Sequence, residues 1–371
     1  MARVFHDGFE LAKPPYGEYP VAAKAGSLWF CRTYRFSGAS AGMGVSTVYK
    51  YGGAYSLRMY CQWNGSGPWA WYNLPETLVE HYGRIMLYKQ VMTGNADVVI
   101  LQDASENTLG RLRLLLANDG FVVYDHAGNI LYSGDHIVPV DTWVKIEWRL
   151  LLDAVNGVFE CRVNGITLVS FFGDTKGAKG DFSRLRLQFW GQGAVSPAAN
   201  IYVDDVAIND VNGLINNSWV GQGKIVLLKP KADGSINEWT PSNVTKDNWE
   251  MVDEFPADAD ATYVQSENVD DLDLYKTEEL AADKGLAPVE GVSRIKGVQV
   301  VFTGRWENDT TDIVPVLRSG GVNHEGDAVN VLSSYEAGER MFSVNPADGK
   351  AWDFESVDAL EVGVKHGRRG A

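Results

Sequence analysis

Two adjacent aspartates lie inside a run that otherwise reads as a buried strand, NIYVDDVAINDVNG, Asn200 to Gly213. Strand side chains alternate between faces, so Tyr202, Asp204, Val206 and Ile208 share one side and Ile201, Val203, Asp205 and Ala207 the other. Both sides are mostly apolar, and breaking up a buried ion pair costs about 3–5 kcal/mol. At least one carboxylate therefore needs a partner. The opening FHDGFE supplies two candidates, Asp7 and Glu10. First and last strands of a sandwich commonly pair, which would gather Asp7, Glu10, Asp204 and Asp205 in one place. Carboxylates so gathered repel unless a cation or a shared proton settles them. Hard divalent ions take oxygen ligands, so Ca²⁺ is the cofactor these residues would suit. The alternative is that the aspartates accept hydrogen bonds from backbone amides of nearby loops and hold nothing.

A second set is aromatic. CQWNGSGPWAWYNLPE places Trp63, Trp69, Trp71 and Tyr72 in a Gly/Pro-rich stretch. Exposed rings of this kind stack on sugars, while buried ones belong to a core or to a contact with another subunit. Further along, Trp219, Trp239, Trp249 and Phe255 lie in or beside an acidic stretch: residues 231–290 hold 16 Asp/Glu against 4 Lys/Arg. A disordered acidic tail would lack such large apolar groups. They are expected to cover a neighbouring surface, and residues 214–371 are expected to carry the oligomer contact. GQGK (Gly221 to Lys224) lacks the spacing and the Ser/Thr of a phosphate-binding loop. The six histidines show no paired metal-ligand spacing.

These residues need a scaffold, and the scaffold reads as strands. SLWFCRTYRF, YSLRMYCQW, YGRIMLYKQVM, DVVILQD, GRLRLLL and FVVYD are short β-rich runs separated by turns. In TWVKIEWRLLLDAVNGVFECRVNGITLVSFF, Asn156-Gly157 and Asn164-Gly165 predict hairpins. Val144, Ile146, Trp148 and Leu150 alternate with Lys145, Glu147 and Arg149, as in a sheet wetted on one face. The expectation is all-β, an antiparallel jelly-roll β-sandwich over 1–212. An acidic, loop-rich connection over 213–290 follows, with one short helix at TEELAADKG (Thr277 to Gly285), then a second, smaller β domain over 291–371.

A chain of 371 residues has room for two or three domains. Its net charge of −15 argues against a nucleic-acid partner. With no apolar run long enough to span a bilayer, a membrane is not expected either. The opening MARVFHDGFE has no apolar signal region, so classical secretion is not expected. Cys31, Cys61 and Cys161 fall in strand-like runs and are expected as buried free thiols.

FHDGFE, YGGAYSLRMY, DTWVKIEWRL, GVFECRVNG and IYVDDVAI, in this order, resemble the concanavalin A-like lectin/glucanase sandwich in its laminin-G-like form. That resemblance implies a Ca²⁺ site between the terminal strands, where Asp7 and Asp204 map. Glycosidases of the family carry paired acids as Glu-x-Asp-x-(x)-Glu on one strand. Here VKIEW offers Glu147 alone, so no enzymatic activity is expected. NSWVGQGKIVLLKPKADGSINEWTPS, YVQSENVDDLDLY, VNPADGKAW and ALEVGVKH resemble virion proteins of tailed bacteriophages. This second resemblance implies a non-enzymatic tail, fibre or head-decoration component, homo-oligomeric, in contact with other virion proteins and assembled in the host cytoplasm. The competing expectation is a carbohydrate-binding adhesin that recognises host surface glycan.

Overall fold

The computed structural model describes residues 3–9, 30–32, 41–61, 68–90, 95–115, 118–192, 199–213, 215–254, 257–287, 295–306, 311–333 and 335–368. They fall into two compact units, divided between Val226 and Leu227. The sandwich thus extends past the expected end at 212.

In chain order the first unit begins with β1 (Arg3–Asp7), β2 (Phe30–Arg32), β3 (Ala41–Ser46), β4 (Ser56–Cys61) and β5 (Trp69–Leu78). It continues with β6 (Glu80–Lys89), β7 (Asn95–Gln102), β8 (Thr108–Leu115), β9 (Gly120–Tyr124) and β10 (Ile130–Gly134). The last five are β11 (Trp143–Leu151), β12 (Gly157–Val163), β13 (Ile166–Gly173), β14 (Phe182–Gln192) and β15 (Ala199–Asp210). Two antiparallel sheets result. One runs β13-β12-β11-β6-β15-β4-β3, with β1 also pairing β15; the other runs β10-β9-β8-β7-β14-β5-β2. The fold is an all-β antiparallel sandwich.

Period-two alternation builds the core. Val144, Ile146 and Trp148 of β11 and Leu112, Leu185 and Leu187 of β8 and β14 are all 0% exposed. Phe5 and Tyr72 stack between the sheets, ring centroids 3.8 Å apart. Gly83 sits opposite Trp148 on β6, and a Cβ there would lie 2.0 Å from the indole. Only glycine permits that approach. Cys161 is a buried free thiol, and burial pushes its pKa up. The side chains of Cys31 and Cys61 lie outside the described residues.

The two Asn-Gly signals end differently. Asn164 (φ 49°) and Gly165 (φ 86°) form a two-residue turn between paired Val163 and Ile166, the mirror-image type that strand twist favours. Asn156-Gly157 does not close such a turn. Asp153 Oδ1 accepts from the amides of Val155 and Asn156, each at 2.7 Å, and shapes a wider loop.

The second unit contains β16 (Pro230–Asn237), β17 (Thr240–Pro241), β18 (Val264–Gln265), β19 (Leu272–Thr277) and β20 (Val298–Gly304). After these come β21 (Thr311–Ser319), β22 (Val322–Glu325), β23 (Val329–Val331), β24 (Glu336–Phe342), the helix α1 (Phe354–Asp358) and β25 (Glu361–His366). Its main sheet is β16-β19-β25-β21-β22, with β23 on β21. The stretch expected to be a loop-rich connection therefore donates β16 and β19 to this sheet and pairs β17 with β18 in another, and Leu272 and Leu274 of β19 bury against Val316 of β21. The helix expected at Thr277 to Gly285 is absent: β19 takes Thr277, and a turn with bonds from Asp283 to Glu279 and from Gly285 to Ala281 follows. The one α-helix among the described residues is α1, capped by Asp353, whose side chain accepts from the Ser356 amide. Trp352, Val357 and Leu360 around it pack with Leu280, Leu317 and Phe342.

Candidate functional site

β1 and β15 pair as expected, with Asp7 opposite Val206. The register of β15 against β6 shifts between Asp204 and Ala207, and Asp205 has φ 47°. This bulge breaks the alternation, and both aspartates are 0% exposed. Asp204 Oδ2 accepts from the amides of Tyr51 (2.7 Å) and Gly52 (3.1 Å), and its Oδ1 from that of Asp205 (2.7 Å). Asp205 Oδ1 accepts from the Ile225 amide at 2.8 Å, while its Oδ2 is buried without a hydrogen-bond partner.

The cation beside them is Arg84. Its Nε and Nη2 donate to the Asp205 carbonyl at 3.1 and 2.9 Å, and its Nη1 to the carbonyls of Gly221 and Gly223. Burial pushes Asp204 up to about 8, reinforced by the charge of Asp205. Burial lifts Asp205 to about 6 against the pull of Arg84. Asp7 Oδ1 accepts from the Phe9 amide at 2.6 Å. Asp7, Asp204 and Asp205 belong to the expected Ca²⁺ set, together with Glu10. Backbone amides and Arg84 meet the β15 aspartates, Asp7 serves its own turn, and Glu10 lies outside the described residues. No group of three or more His, Cys, Asp or Glu suited to a metal occurs among the described residues.

The outer face of β11, expected to be wet, is covered. Glu147 and Lys145 are 3% and 7% exposed and pair at 2.9 Å. Glu147 Oε1 also accepts from the Gly221 amide at 2.7 Å. Trp219 packs in the same unit, with Arg162 3.6 Å from its ring centroid and Tyr82 edge-on at 5.4 Å. It is one of the residues expected at an oligomer contact, and within its own unit a cation–π contact positions it. In the second unit Trp239 Nε1 donates to the Asp271 carbonyl at 3.1 Å, and the Trp249 amide to Asp233 Oδ1 at 2.9 Å. Both rings are half-buried. Phe255 lies outside the described residues.

The aromatic set divides by face. Tyr72 points into the core, 6% exposed. Trp69 and Trp71 stand on the opposite, outer face of β5, half-buried, with ring centroids 4.7 Å apart. Trp63 lies outside the described residues. Cross-strand pairing puts Trp71 beside Arg186, then Ile100, Arg111 and Tyr124, in one straight row across β5, β14, β7, β8 and β9. Flanking this row, Gln188 pairs with Trp69 and Arg184 with Asn73. Arg186 lies 4.1 Å from the Trp69 centroid and Arg111 4.2 Å from that of Tyr124. The face can offer apolar rings, guanidinium donors and amide groups to one extended ligand.

The arginines and Gln188 were not singled out in the sequence, yet a signal existed. GRLRLLL and SRLRLQFW both alternate arginine with leucine, and with the leucines inward the arginines must share the outer face. What no local pattern gives is the adjacency of these two runs to β5.

No family model and no curated protein sequence matches the chain. Similar solved structures include a cellulose-induced protein, Cip1, at 12% identity and TM-score 0.40, covering 59% of this chain and 100% of that one. A non-specific endo-β-1,3(4)-glucanase, SCLam, is similar at 13% and 0.39, covering 56% and 90%. A tetrameric galectin from the ball sponge Cinachyrella sp. is similar at 15% and 0.29, covering 38% and 100%. At these values the likeness adds nothing to the antiparallel sandwich described above.

Proposed function

We propose that the chain is a non-enzymatic component of a tailed-bacteriophage virion whose sandwich unit attaches to a surface glycan. The observation that carries attachment is the outer face of β5 and β14, where half-exposed Trp69 and Trp71 stand beside Arg184, Arg186 and Gln188. A sugar ring buries its apolar face on an indole while its hydroxyls meet the polar neighbours. The virion setting rests on the resemblance of the motifs after Asn217. The engagement of Glu147 by Lys145 and the Gly221 amide supports a non-enzymatic role, since that carboxylate is committed beneath a covering strand of chain.

Affinity electrophoresis through gels containing surface polysaccharide tests the attachment. Trp71→Ala should weaken retardation about tenfold, as loss of a central aromatic anchor does, with little change in melting temperature. Release of reducing ends above a heat-killed control would refute the non-enzymatic part. Gold-labelled antibody to the chain should decorate purified particles. Glycan binding without such decoration would favour the adhesin reading.

A further inference from the structure

We infer that β13 is the seam of a two-fold dimer: it pairs antiparallel with β13 of a second copy, centred on Ser170, and joins two eight-stranded sheets into one. The inference goes beyond the attachment reading and does not rest on it, since β13 belongs to the other sheet. Among the described residues β13 pairs with β12 alone, and the amides and carbonyls along its open side meet no partner. Such an edge is a template for another strand, and proteins usually blunt it by shortness, charge, proline or a bulge. The other sheet ends of this unit are short or weak. β2 has three residues, β10 has five with a register shift against β9, and β3 holds Gly42 and Gly44. β13 has eight residues, ITLVSFFG, with no charge and no proline. Its register against β12 shifts once, at Leu168, and Val169 to Gly173 is regular.

A second copy is the partner this strand fits. The chain carries a net charge of −15, so two copies repel unless they meet where charge is absent. β13 is such a place, and the turn before it, Asn164-Gly165, is uncharged as well. The strand is also symmetric in polarity about Ser170. Pairing centred there sets Ser170 against Ser170, Val169 against Phe171 of the second copy and Leu168 against Phe172 of the second copy. Asp174 of the second copy then lies opposite Ile166, so no like charges oppose. Aliphatic and aromatic side chains facing each other across strands are the contacts that stabilise a sheet. Ile166 and Phe172 are each 69% exposed, apolar surface that the second copy would take out of water. Because the same strand serves both copies, the contact closes at two.

Light scattering on the full chain should show its mass approach that of a dimer as concentration rises. Hydrogen exchange read by mass spectrometry should slow across residues 166–173 over the same range. Ser170→Cys should give a disulfide-linked dimer under mild oxidation with diamide, in a yield that the unaltered chain with its own cysteines does not reach. Phe172→Lys should raise the dimer dissociation constant about tenfold. Because that ring is exposed, the melting temperature of the dilute chain should not change. The exchange of the unaltered chain decides the matter even if a variant misfolds. A chain that stays monomeric at every concentration would overturn the inference. So would a dimer in which residues 166–173 exchange at one rate throughout, which would place the contact elsewhere, as in residues 214–371. Slowed exchange of β13 on adding purified phage particles, in a chain that stays monomeric, would overturn it in favour of a strand from another virion protein.

Discussion

Asp204 and His81 set opposing slopes on stability against pH. Asp204 titrates at about 8 when folded, against an ordinary value of 3.8, because burial disfavours its charge. The native state then keeps a proton that the unfolded chain has released, so stability falls as pH rises towards 8. His81 is the reverse case. It is fully buried, accepts from Trp148 Nε1 at 3.1 Å and stacks on Phe182, and burial lowers its pKa from 6.5 to about 3. Its neutral form is retained while the unfolded chain takes up a proton, so stability falls as pH drops below 6.5. Above that value Asp204 still supplies a falling slope until it is itself ionised. The melting temperature should therefore decline from about pH 7 to about pH 9. Asp204→Asn should flatten that decline while leaving the acid limb intact. An unchanged decline in the variant would remove Asp204 as its origin. Trp148→Ala should cost about 3–5 kcal/mol by denaturant unfolding, as a large buried ring does.

At the scale of elements, the segment after β15 matters most. Ser218 to Ile225 has no strand of its own, yet it closes the outer face of β11 and β6. The Ser218 carbonyl accepts from Asn209 Nδ2, the Gly221 amide donates to Glu147, the Gly221 and Gly223 carbonyls accept from Arg84, and the Ile225 amide donates to Asp205. Without it, Arg84 and Asp205 lose partners that no side chain replaces, and an unpaired buried group costs more than its bond contributed. A sandwich ending at residue 226 should thus melt higher than one ending at 213, by ~5 °C or more for a unit of this size. Equal melting temperatures would show that the segment merely rests on the face. The alternation of Val144, Ile146 and Trp148 with Lys145 and Glu147 made the inner face of β11 legible. The cover was not legible, because an irregular segment has no period to read.

Across the whole molecule, charge is divided unevenly. The second unit takes in residues 231–290, with their excess of carboxylates, while the first carries the arginines of β8 and β14. Part of the acidic load is neutralised locally, as where Lys231 meets Glu279 and Asp283, each at 3.0 Å. Each unit is compact by itself, so residues 1–226 alone should melt in one cooperative transition by circular dichroism, and a fragment that stays unfolded would show that it depends on residues beyond Val226.

By itself the sequence determined the all-β class, most of the strands and the Asn164-Gly165 turn. Each is encoded by a period or a turn residue within a few positions, and local sterics enforce it. The outer placement of Trp69 and Trp71 is of the same kind once β5 is assigned. Only the tertiary structure decided what meets Asp204 and Asp205. A bulge breaks their alternation, and their partners come from Tyr51 and Gly52 on one side and from Ile225 and Arg84 on others. It alone set β14 between β5 and β7, which joins Trp71, Arg186 and Arg111 in one row. Contacts between residues so far apart in the chain depend on which strands become neighbours, and packing of the whole core chooses that order.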